Sequence, residues 1–107
     1  MQHVTAPELA QWIADPSRTP PLLLDVREPL EYQTCHLDNA VLIPMNTIPV
    51  RLAELDAETE IVCICHHGGR SMQVAAFLER NGFARVTNLT GGVHAWSQQV
   101  DPRMPTY

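Results

Sequence analysis

Ile61-Val62-Cys63-Ile64-Cys65-His66-His67-Gly68-Gly69-Arg70-Ser71 is the stretch that decides how the rest of the chain is read. An apolar, β-branched run ends at a cysteine; two histidines, two glycines, an arginine and a serine then lead into a helical pattern. That order predicts a buried strand, a tight loop beginning with a thiol, and a helix whose amino end faces the thiol. Helix amides point at the sulfur, Gly68 and Gly69 allow backbone conformations in which N–H groups converge, and Arg70 adds a permanent positive charge. Each of these favours a thiolate over a thiol. Cys65 is therefore the candidate nucleophile, and His66, His67, Gly68, Gly69, Arg70 and Ser71 form the candidate anion-binding loop, with Ser71 expected to cap the following helix.

Working outward, Gln2 to Val4 reads as a short edge strand. Thr5 with Glu8, and Pro7 in the first turn, start a helix through about Ala14, with Leu9, Trp12 and Ile13 as its buried stripe. Leu22 to Val26 and Val41 to Ile43 are continuous apolar runs, as in strands covered on both faces. Pro29 to Thr34 predicts a short helix. Asn46 is expected to cap a helix carrying Ile48, Leu52 and Leu55. Ile61 to Ile64 is the central strand, Ser71 to Asn81 the helix after the loop, Arg85 to Asn88 the last strand and Val93 to Gln99 the last helix. Alternation of this kind implies a three-layer α/β fold: a central, mostly parallel sheet of about five strands flanked by helices. In such sheets the functional crevice lies beyond the carboxyl ends of the strands, where Cys65 falls.

The 107 residues fit one domain, 1–107, with 45% hydrophobic and 18% charged residues, a globular composition. The net charge of −5 disfavours nucleic acid or an anionic membrane as partner. The seven basic residues are all arginine, so no lysine amine serves as base or Schiff-base former. Three cysteines, an odd number, argue for reduced thiols rather than a disulfide framework. With no signal-peptide pattern and no membrane-length apolar run, a cytoplasmic location is expected.

Four segments carry a resemblance. Cys65-His66-His67-Gly68-Gly69-Arg70-Ser71 resembles the C-x-x-G-x-R-S active-site loop of the rhodanese superfamily. Leu24 to Glu28 resembles its D-x-R-x motif, Glu31 to Ala40 its E-[YF]-x-x-G-H-I-x-G-A segment, and Asn88 to Trp96 its L-x-G-G-x-x-x-W close. Cys35 and Asn39 stand where that pattern has glycines. Asn39 tolerates a left-handed backbone; Cys35 is read as a small buried filler rather than a second reactive thiol.

The resemblance implies a rhodanese-like fold and a thiosulfate sulfurtransferase acting through a Cys65 persulfide, with no cofactor. Its partners would be a small anionic sulfur donor and a thiophilic acceptor: cyanide in an assay, a cellular thiol, or the protein thiol of a sulfur-relay partner. Arg70 would position the donor's oxygens. The alternatives are a carrier module that hands over sulfur without free turnover and, behind it, a cysteine-based phosphatase or arsenate reductase. C-x5-R phosphatases have one more residue between cysteine and arginine than the four, His66 to Gly69, present here. Cys63 is expected in the core. No metal site is expected, since Cys63, Cys65, His66 and His67 lie too close in sequence to fan tetrahedrally. His36 and His94 are read as scaffold. Asp25 and Arg27 are read as loop-pinning, with Glu28 or Glu31 as partner.

Overall fold

The computed structural model describes residues 1–107. Its centre is a five-stranded sheet in the order β1-β5-β4-β2-β3, comprising β1 (Gln2–Val4), β2 (Leu22–Asp25), β3 (Val41–Leu42), β4 (Ile61–Ile64) and β5 (Val86–Leu89). Every neighbouring pair is parallel. Four α-helices lie in the connections, α1 (Ala6–Ala14), α2 (Pro29–Thr34), α3 (Ile48–Arg51) and α4 (Gly69–Arg80), and α5 (Gly92–Gln99) follows β5. No helix is long and apolar enough to cross a membrane.

The two-residue period of a strand explains why β4 is apolar throughout. Ile61 and Cys63, with Cys65 beyond the strand end, face a core completed by Val74, Ala75 and Leu78 of α4 and by Ile48. Val62 and Ile64 face a second core formed with Leu9 and Trp12 of α1 and Val93 of α5. Burying each large aliphatic side chain contributes about 1.5–3 kcal/mol, so the sheet is held from both sides.

Several expected boundaries shift for identifiable reasons. The capping box of α1 forms as expected: Glu8 N–H donates to Thr5 Oγ1 at 3.3 Å and Thr5 N–H to Glu8 Oε1 at 2.9 Å. Its buried stripe, however, is Ala6, Leu9 and Trp12, and Ile13 is exposed. Asn46 does not cap a helix. It lies inside a 3₁₀ turn, Met45–Thr47, and α3 begins only at Ile48 because Pro49 fits only the first helical turn. A second 3₁₀ turn, Leu52–Glu54, follows. The helix after the loop starts at Gly69 rather than Ser71, with Gly68 as its N-cap residue.

The two departures from glycine are both accommodated. Cys35 has φ −165°, ordinary extended backbone open to any residue. Asn39 has φ +67° and is the only non-glycine residue with positive φ.

Candidate active site

Cys65 follows β4, and its side chain is almost wholly buried at the floor of the loop. The Gly68 N–H donates to Cys65 Sγ at 3.0 Å, and Ser71 Oγ lies 3.4 Å from the same sulfur. Burial alone pushes the thiol's pKa up. The Ser71 hydroxyl and the N–H groups of Ser71, Gly68 and Arg70 outweigh it, and the net displacement is below the ordinary thiol value. Cys63, two residues earlier, has burial without these donors, and its pKa is pushed up to about 12. Two thiols only two residues apart are thus shifted in opposite directions, Cys65 toward the thiolate and Cys63 toward the thiol.

Ser71 does not cap α4. It sits in the first turn, fully buried, with Oγ 2.5 Å from Asn88 Oδ1 at the end of β5 and facing Cys65. The hydroxyl has one proton and two acceptors, so it donates to one of them at a time.

The loop's shape depends on two glycines in particular. Gly68 has φ +107°, which lets its N–H turn toward the sulfur. Gly92 has φ +59°, and a Cβ there would stand 2.3 Å from the carbonyl oxygen of Cys65 and 2.4 Å from that of His66. This close approach lets Val93 N–H donate to Cys65 O at 2.9 Å and His94 N–H to His66 O at 3.0 Å. Gly69, expected to need special backbone freedom, has no positive φ and open space where a Cβ would go.

A second layer is built from β2 and α2. The Arg27 side chain is fully buried and pairs with Asp25, also buried, through Nε at 2.9 Å and Nη2 at 2.7 Å. Arg27 also donates to the carbonyls of Cys35 at 2.6 Å and Glu31 at 3.3 Å, pinning the last turn of α2 to the sheet. Burial opposes its charge, but the Asp25 and Tyr107 oxygens raise its pKa above the ordinary value. Neither Glu28 nor the Glu31 carboxylate is its partner. Glu31 instead takes Arg70 in a fork, at 2.7 and 2.9 Å. That contact holds the Glu31 carboxyl at about 2 and raises Arg70 above its usual value. Arg70 is thus at the rim of the loop, oriented by a carboxylate.

Over this rim lies Tyr107. Its hydroxyl accepts from Arg27 Nη1 at 2.7 Å and donates to Glu31 Oε2 at 2.9 Å. Its ring stacks on His66, with centroids 4.1 Å apart and planes 14° from parallel. His66 also meets His67 at 4.0 Å and His94 at 6.0 Å. Burial and the neighbouring His67 and His94 lower its pKa, favouring a neutral ring. His36 is scaffold as expected, with Nδ1 2.8 Å from Tyr32 O and its ring stacked on Tyr32. Asn88, Glu31 as the partner of Arg70, and Tyr107 were not assigned these places from sequence. Asn88 carried a signal as a polar residue near the carboxyl end of the strand beside β4, and Glu31 was singled out as an ion-pair partner but assigned to the wrong arginine.

The chain has relatives among known proteins. A family profile described as "Rhodanese-like domain" matches residues 5–99. The chain belongs to the rhodanese-like family. A sulfurtransferase of Allochromatium vinosum is 35% identical over 102 residues, covering 95% of this chain and 94% of that protein. A putative sulfur carrier protein of Bacillus subtilis, YrkF, is 37% identical over 74% of this chain but only 43% of its own length. The chain spans 26% of a probable adenylyltransferase/sulfurtransferase of Mycobacterium tuberculosis, at 35% identity. A rhodanese-like domain protein of Staphylococcus aureus has a crystal structure that superimposes with a TM-score of 0.82, at 35% identity, covering 90% of this chain and 91% of that one. The rhodanese-like assignment and the parallel α/β architecture therefore stand, and the family is one of sulfurtransferases and sulfur carriers.

Proposed function

We propose that the chain moves sulfane sulfur from thiosulfate, or a donor of the same chemistry, to a thiophilic acceptor through a persulfide on Cys65. The observation that carries this reading is the hydrogen-bonding of Cys65 Sγ by Gly68 and Ser71 at the mouth of α4. The Cys65 thiolate attacks the outer sulfur of thiosulfate. A sulfur–sulfur bond forms to Cys65 as the donor's own breaks, and sulfite leaves with the electron pair. The persulfide keeps one negative charge on its terminal sulfur, and the converging N–H groups and the dipole of α4 stabilise it. Cyanide or a thiolate then attacks that sulfur, carries it away and regenerates the Cys65 thiolate. No cofactor is needed to balance either step.

Arg70 keeps donor capacity beyond the two N–H groups spent on Glu31, and a planar fork suits sulfonate oxygens. His66 and His67 line the entry, and a cytoplasmic setting with reduced thiols suits the chemistry.

A carrier role without free turnover is the second reading. It is favoured by Tyr107 lying over His66 and bonding both Arg27 and Glu31, which narrows access to the loop. Sulfite release separates the two. With thiosulfate and excess cyanide, catalytic turnover gives many sulfites per chain, whereas a carrier gives one and then stops. No sulfite from wild type, or equal sulfite from Cys65→Ser, would refute both.

A further inference from the structure

We propose that His66, His67 and His94 form a binding site for a borderline first-row divalent cation, such as zinc or cobalt, at the rim of the Cys65 loop. The three imidazoles offer nitrogen atoms that all lie within 4.8 Å of one another. A tetrahedral ion with metal–nitrogen bonds of about 2.0–2.1 Å needs nitrogens about 3.3 Å apart. The widest separation must close by about 1.5 Å, within reach of side-chain rotation. His67 is exposed and His66 and His94 are only partly buried, so the rings have room to turn.

The backbone beneath the rings is already fixed. His94 N–H donates to His66 O, and Val93 N–H to Cys65 O, which ties the start of α5 to the loop carrying the other two histidines. The stack of Tyr107 on His66 limits the orientations of that ring. Two of the three ligands are adjacent in sequence, and the third comes from a different element 27 residues on. That separation supplies the fan of directions that the Cys63, Cys65, His66, His67 run lacks. No carboxylate belongs to the cluster, so calcium and magnesium, which prefer oxygen ligands, are poor occupants. Three imidazoles leave a fourth tetrahedral position for water or an anion.

The competing explanation for any metal binding is the Cys65 thiolate itself, and the test is arranged to separate the two. Zinc is titrated calorimetrically into the reduced 107-residue chain, and cobalt is followed by its visible spectrum. Wild type and Cys65→Ser are compared with His67→Gln and His94→Gln. One ion per chain is expected in both wild type and Cys65→Ser, with affinity at least about tenfold weaker in each histidine variant. The cobalt spectrum should show nitrogen and oxygen ligation without a thiolate charge-transfer band. Loss of binding in Cys65→Ser overturns the proposal, as does wild-type affinity in His94→Gln. His67 is exposed, so that variant keeps the core intact and tests the site even if His94→Gln folds poorly.

Discussion

Gly92→Ala is expected to damage the active loop from a position that never touches substrate. The new Cβ would lie 2.3 Å from Cys65 O and 2.4 Å from His66 O, and both are backbone atoms that cannot swing aside. Alanine at φ +59° costs about 1 kcal/mol relative to glycine before any clash is counted. Relieving the clash pushes α5 off the loop and loses the Val93 N–H to Cys65 O and His94 N–H to His66 O bonds, about 1 kcal/mol each. A total loss of about 3 kcal/mol follows, a large share of the roughly 5–15 kcal/mol that stabilises a domain of this kind. Urea unfolding measures it, and the slope of the transition should be unchanged. Gly69→Ala is the internal control. It has open space, no positive φ and a helical position, so stability should hold or rise by about 0.4–1 kcal/mol. A loss below about 1 kcal/mol for Gly92→Ala, or equal losses for both glycines, would refute the close-approach argument.

Two other perturbations address the charges around the sulfur. Ser71→Ala removes the side-chain donor among the groups that lower the Cys65 pKa, so that pKa rises and the thiolate fraction at neutral pH falls. The pH dependence of Cys65 alkylation reads this directly, since Cys63 stays protonated up to about 12; an unmoved profile assigns the effect to the backbone N–H groups alone. Glu31 has its folded pKa lowered from 4.5 to about 2, so its contribution is fully present above pH 4.5 and is lost as pH falls toward 2. The pair is partly exposed, which discounts it to about 1 kcal/mol. Glu31→Gln should flatten the acid limb of the stability curve by most of that amount, as followed by unfolding at pH 5, above the unfolded value, and at pH 2, near the folded one, and an unchanged limb would contradict the assignment.

The middle of the sheet was legible because β2 and β4 are short, largely apolar runs. β4 and α2 fall where the sequence puts them, Ile61–Ile64 and Pro29–Thr34. Caps were harder to read. Asn46 and Ser71 are residue types that favour N-caps, yet Pro49 delays one helix and the left-handed Gly68 starts the other two residues early. That early start is what frees the Ser71 hydroxyl for Cys65 and Asn88.

The local part of the site was equally legible, since Cys65, its loop and the helix behind it are consecutive. The second layer was not. Glu31 and Arg70 are 39 residues apart, Arg27 and Tyr107 80 apart, and no periodicity or motif links such pairs. His94 looked like scaffold because its motif is read through its glycines and tryptophan. Only the fold brings its ring to within 5.0 Å of His67.

Intact mass of the reduced chain after exposure to thiosulfate and removal of excess donor tests the sulfur-transfer account most directly. Wild type should gain one sulfur atom, lose it on addition of cyanide, and show the gain on the peptide containing Cys65. Cys65→Ser should gain nothing, while Cys63→Ala and Cys35→Ala behave as wild type. A wild type that gains no sulfur, or a gain that persists in Cys65→Ser, would contradict it.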